Sequence, residues 1–263
     1  MDQGTETGTK TGSAARGKAV GRDATEDDAR GERETAALHG PRLGFRLTPR
    51  EFDLLEFVLD QKFASLDALY LRFFQTADSR SERYAAERVQ LLRRHGFLRA
   101  ERVYTRPELF YLVTPLAREV LQAQRPARRV LDAILSIDHR TFEHDHRVTL
   151  CRAHRERSGH AREWVSERRL KAEWAIFSGR LAREYCPDAV YTNRRGERVA
   201  FELELAPKTR DRLARKISRF LDVMRDGAGP FQRTLFVACE VATARTLEAM
   251  TRPYSASLSN RGS

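Results

Sequence analysis

The chain contains few cysteines and no long apolar run. Only three of its 263 residues are cysteine (Cys151, Cys186 and Cys239), too few and too scattered for a disulfide framework or a four-cysteine zinc site. No apolar stretch approaches the roughly 18 residues of a membrane span. The N-terminus is polar and of mixed charge, which excludes a secretory signal. No glycine-rich phosphate loop is present, which argues against ATP or GTP as substrates. We therefore expect a soluble cytoplasmic protein without a membrane partner.

Lysine is also scarce, although the chain is basic. Lys and Arg number 48 against 37 Asp and Glu, a net charge of +11, and only six of the 48 cations are lysine. Residues 1–44 carry a net charge of −1, residues 45–125 carry +3 and residues 126–263 carry +9. Because the excess lies on segments that have apolar patterning, it indicates a charged surface. Nucleic acid is the first partner to expect, although a GC-rich genome also produces an arginine bias.

The apolar pattern divides the chain into four parts. Residues 1–44 are rich in Gly, Thr, Ala and acidic residues, which predicts a disordered leader, to which no function is assigned. Residues 45–125 and 126–252 are each predicted to fold as a domain. Residues 253–263 are predicted to be a frayed tail.

The first predicted domain has the pattern of a winged helix-turn-helix. Thr48, Pro49 and Glu51 form a helix start with a capping box, Ser65 caps a second helix, and Gly96 ends a third. The predicted elements are a helix from 48, a helix from 65, a helix over 80–95, strands over 97–105 and 108–114, and a helix from Thr114 to Gln122. In this fold the third helix enters the major groove and the hairpin lies over neighbouring phosphates.

The winged-helix pattern predicts which cations contact double-stranded DNA. They are Arg80, Arg83, Arg88 and Arg94 on the third helix, and Arg99, Arg102 and Arg106 on the hairpin. Two alternatives stay open. In the first, the module binds a protein, which predicts no salt-dependent affinity for DNA. In the second, its arginines only solvate a helix face, for example through an i,i+4 ion pair between Arg83 and Glu87.

The second predicted domain is an α/β (α+β) layer in which a mixed sheet is flanked by helices. The predicted helices are an apolar helix or turn over 130–137, then 142–157, 209–224 and 243–250. The predicted strands are 162–170, 185–191, 198–205 and 233–240.

Three carboxylates are predicted to meet on the hairpin in this sheet. Side chains alternate along a strand, so Glu202 and Glu204 share one face, and the hairpin brings Asp188 towards them. Such a group repels itself unless a cation lies among its members. Oxygen ligands of this kind suit Mg²⁺ or Mn²⁺. The sequence therefore predicts a metal site formed by these three residues.

A cationic helix follows the hairpin. Lys208, Arg212 and the pair Arg215 and Lys216 recur at spacings of three and four, so they share a helix face. Arg215 and Lys216 are predicted to contact DNA as well. Carboxylates beside cations suit metal-assisted phosphodiester cleavage, in which the metal polarises the phosphate or activates a nucleophile and the cations stabilise negative charge. The alternative is structural, with both glutamates on the solvated face of an edge strand, paired with Arg195 and Arg198.

The acidic residues resemble the motif of the PD-(D/E)xK nuclease superfamily of restriction-endonuclease-like folds. The sequence has Pro187-Asp188, thirteen residues and then Glu202-Leu203-Glu204, with Glu204 in the place of the motif lysine. The order of elements is similar to that of the replication-relaxation family of mobile elements, which is related to the MOB-C plasmid relaxases. This order is a winged helix, a helix with Glu143-His144-Asp145, Pro-Asp, a hairpin, Glu-x-Glu and an Arg/Lys helix. The resemblance covers about residues 47–240.

The resemblance implies a bacterial, metal-dependent DNA-nicking protein that acts in plasmid mobilisation or replication. It carries catalytic roles over to Asp188, Glu202, Glu204, Lys208 and Arg212, and lets His144 line the site. Relaxosome or replication proteins and a second copy of the chain are the further partners it suggests. A catalytic tyrosine does not carry over, because the Arg/Lys helix contains none. The competing hypothesis is a non-catalytic regulator or replication accessory protein with an inactive nuclease fold.

Overall fold

The computed structural model describes residues 45–75, 80–177, 186–206, 208–225 and 231–259. They form a mixed α/β structure with two sheets. We call residues 45–125 the N-terminal segment and residues 126–259 the C-terminal segment. None of the helices in the described part has the length and apolar character that a membrane span needs. The predicted leader lies outside the described residues.

The N-terminal segment begins with a capped helix, as predicted. The Thr48 side chain and the Glu51 side chain cap each other's backbone N–H groups, and Ser65 caps the second helix. A π-helical turn over Tyr70–Phe74 follows that helix. The elements of the segment are α1 Pro49–Asp60, β1 Ala64–Ser65, α2 Leu66–Leu69, α3 Arg80–Arg94, β2 Leu98–Arg102, β3 Leu109–Val113 and α4 Pro115–Gln124.

The first sheet has the strand order β1-β3-β2, and both pairings are antiparallel. Gly96, at a φ of 76°, makes the turn between α3 and β2, a backbone region that glycine adopts without steric cost. Leu98 then pairs with Val113 and Ala64 with Tyr111. The buried side chains of α1 to α4 and of this sheet form one core.

The C-terminal segment supplies a second, four-stranded sheet in the order β4-β5-β6-β7. β4, β5 and β6 form an antiparallel meander, and β7 runs parallel to β6. Phe201 and Leu203 of the central strand pack in the same core as Val148 of α5, whereas Ala200 packs with Phe220 of α7. The elements are α5 Phe142–Arg157, β4 Arg162–Ser166, α6 Glu167–Phe177, β5 Ala189–Thr192, β6 Arg198–Glu204, α7 Arg210–Arg225, β7 Arg233–Ala238 and α8 Val241–Ser259.

The structure differs from the sequence-based prediction in three elements. Residues 130–137, predicted as an apolar helix or turn, form no helix, although Val130 and Ile137 are buried there. The strand predicted over 162–170 ends at Ser166, where α6 begins. The last helix continues beyond Met250 and through Pro253 to Ser259, where a frayed tail was predicted.

A buried ionic group connects the two segments. Asp60, at the end of α1, is 3% exposed, and its Oδ1 accepts a hydrogen bond of 2.7 Å from Arg169 of α6, which is equally buried. Arg152 of α5 lies 3.7 Å from the other carboxylate oxygen. Because breaking such a pair leaves a buried charge uncompensated, these contacts hold the end of α1 against α5 and α6.

The aromatic cluster beside α5 contains a buried histidine. His146 stacks on Phe142 and meets Phe110 edge to face, and its Nδ1 has no hydrogen-bond partner within the described residues. Burial lowers the pKa of His146, and the positive charge of Arg106 lowers it further. The folded protein therefore resists protonation of this ring.

The free energy of unfolding is predicted to depend on His146 in mildly acidic solution. The unfolded chain binds a proton near pH 6.5, whereas the folded chain does so only at lower pH. Stability should therefore fall as pH drops below about 6.5, by at most about 1.4 kcal/mol per pH unit from this group. Urea denaturation at pH 5 and pH 7.5 should show a smaller acid loss in His146→Leu than in the wild type. An equal loss in both proteins would contradict the prediction.

Candidate active site

The carboxylates predicted to meet lie at one end of the β5–β6 hairpin. Ala189 pairs with Phe201 across the two strands, so Asp188, the residue before β5, comes next to Glu202. Glu202 and Glu204 are 3% and 1% exposed, and β6 is an interior strand between β5 and β7. The alternative of a solvated edge strand is therefore wrong.

Two lysines neutralise the buried glutamates. Lys216, from the second turn of α7, lies between them: its Nζ contacts Glu202 and donates a hydrogen bond of 2.6 Å to Oε1 of Glu204. Lys208 pairs with the other oxygen of Glu204. The predicted partners Arg195 and Arg198 take no part in these ion pairs. The cluster thus combines two carboxylates on a strand with two ammonium groups from the segment that follows it.

The two glutamates have opposite pKa shifts. Burial raises the pKa of Glu202, and the negative charge of Asp188 raises it further. Burial acts on Glu204 in the same direction, but hydrogen bonds from Lys208 and Lys216 outweigh it, so the pKa of Glu204 is lowered. The negative charge at the Asp188–Glu202 end is therefore less well compensated than the charge on Glu204.

Asp188 is held by two donors of different kinds. Its Oδ2 accepts a hydrogen bond of 2.7 Å from the backbone N–H of Leu203, and Nε2 of His144 on α5 lies 3.2 Å from the same oxygen. Burial alone would lower the pKa of His144, but its contacts with Asp145 and Asp188 outweigh burial and raise it to about 10. The imidazole is consequently cationic at neutral pH and stabilises the Asp188 carboxylate.

The other predicted cations of the site lie outside this group. Arg212 and Arg215 are exposed on α7. The Arg215 guanidinium donates a hydrogen bond of 3.4 Å to the backbone carbonyl of Asp211. Lys216 was predicted to contact DNA, but the structure places it inside the carboxylate cluster. The shared face predicted for Lys208, Arg212 and Lys216 is thus divided, with the lysines turned to the strand and Arg212 towards solvent.

The residues present fit a divalent cation at one end of the cluster only. In the described parts of the chain, no three His, Cys, Asp or Glu side chains are arranged to hold a metal ion. Both Glu204 oxygens already pair with lysines. Asp188 and Glu202, in contrast, present neighbouring oxygen ligands of the kind that Mg²⁺ and Mn²⁺ prefer, and the charge of Asp188 adds to burial in raising the pKa of Glu202. A cation bound by this pair would relieve the repulsion.

Six of the seven arginines predicted to contact DNA in the N-terminal segment fall into three groups. Arg94 and Arg102 are exposed, with no ion pair to any described residue, as binding to phosphate requires. Arg83 is exposed but forms the i,i+4 pair with Glu87, at 3.0 Å, that was the open alternative. The remainder are Arg99, which pairs with Glu101; Arg106, which pairs with Glu143; and Arg80, whose side chain lies outside the described residues.

The prediction that Arg88 is exposed is wrong. Its guanidinium pairs with Glu51, whose side chain is 2% exposed because it caps α1 from inside the core. Helical periodicity placed Arg88 on the outer side of α3, but it does not show which neighbouring helix packs there. Removing Arg88 would leave a buried carboxylate unpaired.

Sequence reasoning missed the role of Lys216 and obtained His144 only through resemblance. The sequence signal for Lys216 was that it is a lysine, since lysine is rare in this chain and Lys216 follows Glu204 by twelve positions. No local pattern could show that it reaches back to that strand, since the contact depends on how α7 packs on the sheet.

Replacing Lys216 is predicted to destabilise the fold. Lys216→Met leaves Glu202 and one oxygen of Glu204 without a cation, which should cost about 3 kcal/mol. Arg215→Met, at the exposed neighbouring position, should cost less than about 0.5 kcal/mol. Urea denaturation of both variants measures the difference. Adding Glu202→Gln to Lys216→Met should recover part of the loss, and equal stability of the two single variants would contradict the prediction.

The contacts of the site carry the functional conclusion, because no protein-family model, curated protein or solved structure matches this chain. Chemically, the Asp188–Glu202 pair offers oxygen ligands for a hard cation, and Lys216 places a positive charge beside them. Such an arrangement can bind and polarise a phosphate group.

Proposed function

We propose that the protein binds double-stranded DNA and nicks one strand of it in a reaction that depends on Mg²⁺ or Mn²⁺. The observation that carries the proposal is the buried cluster in which Asp188 and Glu202 lie together while Lys216 contacts Glu202 and Glu204. Buried like charges are costly, and a folded chain that only needed stability could have used apolar residues at these positions.

The sheet around the cluster supports a restriction-endonuclease-like fold. That proposal requires an antiparallel meander followed by a helix and a parallel strand, and the order β4, β5, β6, α7, β7 has these directions. Glu204 stands where the PD-(D/E)xK pattern has lysine. Lys216 contacts the same two glutamates from α7, so the ammonium that the pattern expects on the strand would come from the helix.

The N-terminal segment supports the winged helix-turn-helix proposal. Helices α1, α2 and α3 precede the β2–β3 hairpin, and β1, which lies between α1 and α2, pairs with β3. In this proposal α3 reads the major groove and the hairpin contacts phosphates. Arg94 and Arg102, which are exposed, are the cations best placed to bind the backbone.

The proposed mechanism assigns one role to each group. Asp188 and Glu202 would hold the cation, which when bound supplies Lewis-acid polarisation of the phosphate and lowers the pKa of a water. Lys216 and Arg212 would stabilise negative charge on the phosphate, and Lys208 would keep Glu204 ionised and in place. His144 would orient Asp188. Because α7 contains no tyrosine, water rather than a helix tyrosine would be the nucleophile.

The resemblance to the replication-relaxation family supports plasmid mobilisation or replication as the setting. A second candidate function, a non-catalytic DNA-binding regulator or replication accessory protein, is favoured by a different observation. Both Glu204 oxygens and one Glu202 oxygen already pair with lysines, so much of the cluster is neutral without a metal ion. A nuclease fold that has lost its chemistry would have the same appearance.

The nicking proposal predicts conversion of supercoiled plasmid to open circles. The plasmid should carry the transfer or replication origin of the same element, and the reaction should need Mg²⁺ or Mn²⁺ and stop with EDTA. Asp188→Asn and Glu202→Gln should lower the rate by about two orders of magnitude. Agarose gel electrophoresis measures the rate.

Glu163→Gln, on the neighbouring strand β4, provides the matched control and should nick at the wild-type rate. Fluorescence anisotropy with the same DNA should show that all three variants still bind. Wild-type binding without nicking in either metal would refute the nuclease and leave the non-catalytic function. Absence of salt-dependent binding would refute both and favour a protein-binding module.

The DNA-binding proposal makes a prediction about salt. Arg94→Ala and Arg102→Ala should each weaken binding at all sequences alike, and each should reduce the slope of log K against log salt concentration by about 0.9. Arg195→Ala, an exposed arginine in the β5–β6 turn, should leave the slope unchanged. Anisotropy titrations between 50 and 200 mM salt, a range in which such contacts are lost, test this. A common slope for all variants would contradict it.

A further inference from the structure

We propose that Lys62, from the loop after α1, is a positioning residue of the nuclease site: through Asp145 it holds His144 against Asp188. The inference rests on the proposed function, because the site that it completes is the one formed by Asp188 and Glu202. It extends that function by making the N-terminal segment part of the chemistry, in addition to its role in binding DNA.

A continuous series of contacts leads from Lys62 to the site. Nζ of Lys62 donates a hydrogen bond of 2.7 Å to Oδ2 of Asp145. The other oxygen of Asp145 lies 3.8 Å from Nδ1 of His144, and Nε2 of that ring lies 3.2 Å from Asp188. The ring thus contacts Asp188 through Nε2 and lies within ion-pair range of Asp145 at Nδ1, so the place of Asp145 bears on the position of the ring.

Asp145 is fixed from two sides. Its Oδ2 also accepts a hydrogen bond of 2.8 Å from the hydroxyl of Thr141, the residue before α5. The Asp145 side chain is 12% exposed and that of Lys62 is 26% exposed. A partly buried carboxylate with two donors on one oxygen can turn its other oxygen towards His144, and loss of the lysine would remove one of these two donors.

The backbone of Lys62 points to a requirement for its side chain. Lys62 has a φ of 74°, in the left-handed region, directly after the helix cap at Gln61. Glycine is the usual residue at this position, because a Cβ is unfavourable there. A lysine at a position suited to glycine is explained if its ammonium group is needed, and the Asp145 contact is what the ammonium group makes.

The loop that carries Lys62 is itself held in place. Asp60 pairs with Arg169, and the carbonyl of Leu59 accepts a hydrogen bond from Arg168. Both arginines belong to α6, which begins directly after the strand paired with β5. The end of α1 is therefore placed relative to the sheet that bears the site, so DNA docked on the N-terminal segment meets a site that the same segment helps to arrange.

The test exploits the glycine preference at position 62. Lys62→Gly removes the ammonium group but relieves the backbone, so the denaturation midpoint should stay within a few degrees of the wild-type value. With supercoiled origin plasmid and Mg²⁺, kcat for nicking should fall about tenfold to a hundredfold, the usual cost of removing the partner that orients a metal-site group. KM and the anisotropy Kd should remain within twofold.

Two variants control the experiment. Glu163→Gly makes the same exchange at the other non-glycine residue of positive φ, 50°, in the described part of the chain. Glu163 bonds only to Thr192 there, so this variant should nick normally. Lys62→Arg keeps the cation and should restore most of the rate. Wild-type kcat in Lys62→Gly, or no rescue by Lys62→Arg, would overturn the proposal.

A second readout separates this inference from the proposed function. In protein with ¹⁵N-labelled histidine, the ring resonances of His144, assigned with His144→Gln, should shift in Lys62→Gly and stay in place in Glu163→Gly. An unchanged His144 signal in Lys62→Gly would overturn the positioning role even if nicking is observed. A shifted signal together with a wild-type protein that nicks no plasmid in either metal would refute the nuclease and leave the coupling of Lys62 to His144 through Asp145 established.

Discussion

Buried and partly buried carboxylates that need cations are the constraint on which this structure depends. Glu51 pairs with Arg88, Asp60 with Arg169, Asp145 with Lys62, and Glu202 and Glu204 with Lys216. A charge taken out of water is costly until a partner of opposite sign reaches it. Each pair therefore fixes the distance between two separate elements of the fold. The pairs of Asp60 and Asp145 join the N-terminal segment to α5 and α6, and the pairs of Lys216 join α7 to β6.

This constraint changes the meaning of the basic composition. The four lysines in the described ranges each pair with a carboxylate: Lys62, Lys171, Lys208 and Lys216. Several arginines first assigned to DNA also pair internally. Net charge by itself therefore overstates the surface available to phosphate. Of the arginines proposed to contact DNA, Arg94 and Arg102 are exposed without an ion pair to a described residue, and Lys208 and Lys216 neutralise the glutamates of the acidic cluster. Their compact ammonium groups fit between neighbouring carboxylate oxygens, whereas an arginine fork spans a wider contact.

Local signals predicted most element starts, because caps and strand alternation act over a few residues. The box of Thr48 and Glu51, the stop at Gly96 and the bounds of α5 are found where the pattern placed them. The prediction was wrong where neighbours in space decide. Residues 167–170 were predicted to continue β4, yet they begin α6, and Arg169 on this helix pairs with Asp60. Residues 130–137 are apolar because they cover the core, and they do so without a regular element.

The sequence alone predicts which residues of the acidic hairpin share a face. Alternation puts Glu202 and Glu204 on one face and Phe201 and Leu203 on the other, and a short turn returns the strand towards Asp188. The chain alone does not show that β6 is an interior strand, where solvent cannot screen these charges. It also does not show that Lys216, rather than Arg212, reaches the glutamates. Those outcomes depend on β7 pairing along β6 and on the rotation of α7 over the sheet. Both are set by contacts between residues distant in sequence, which local periodicity does not record.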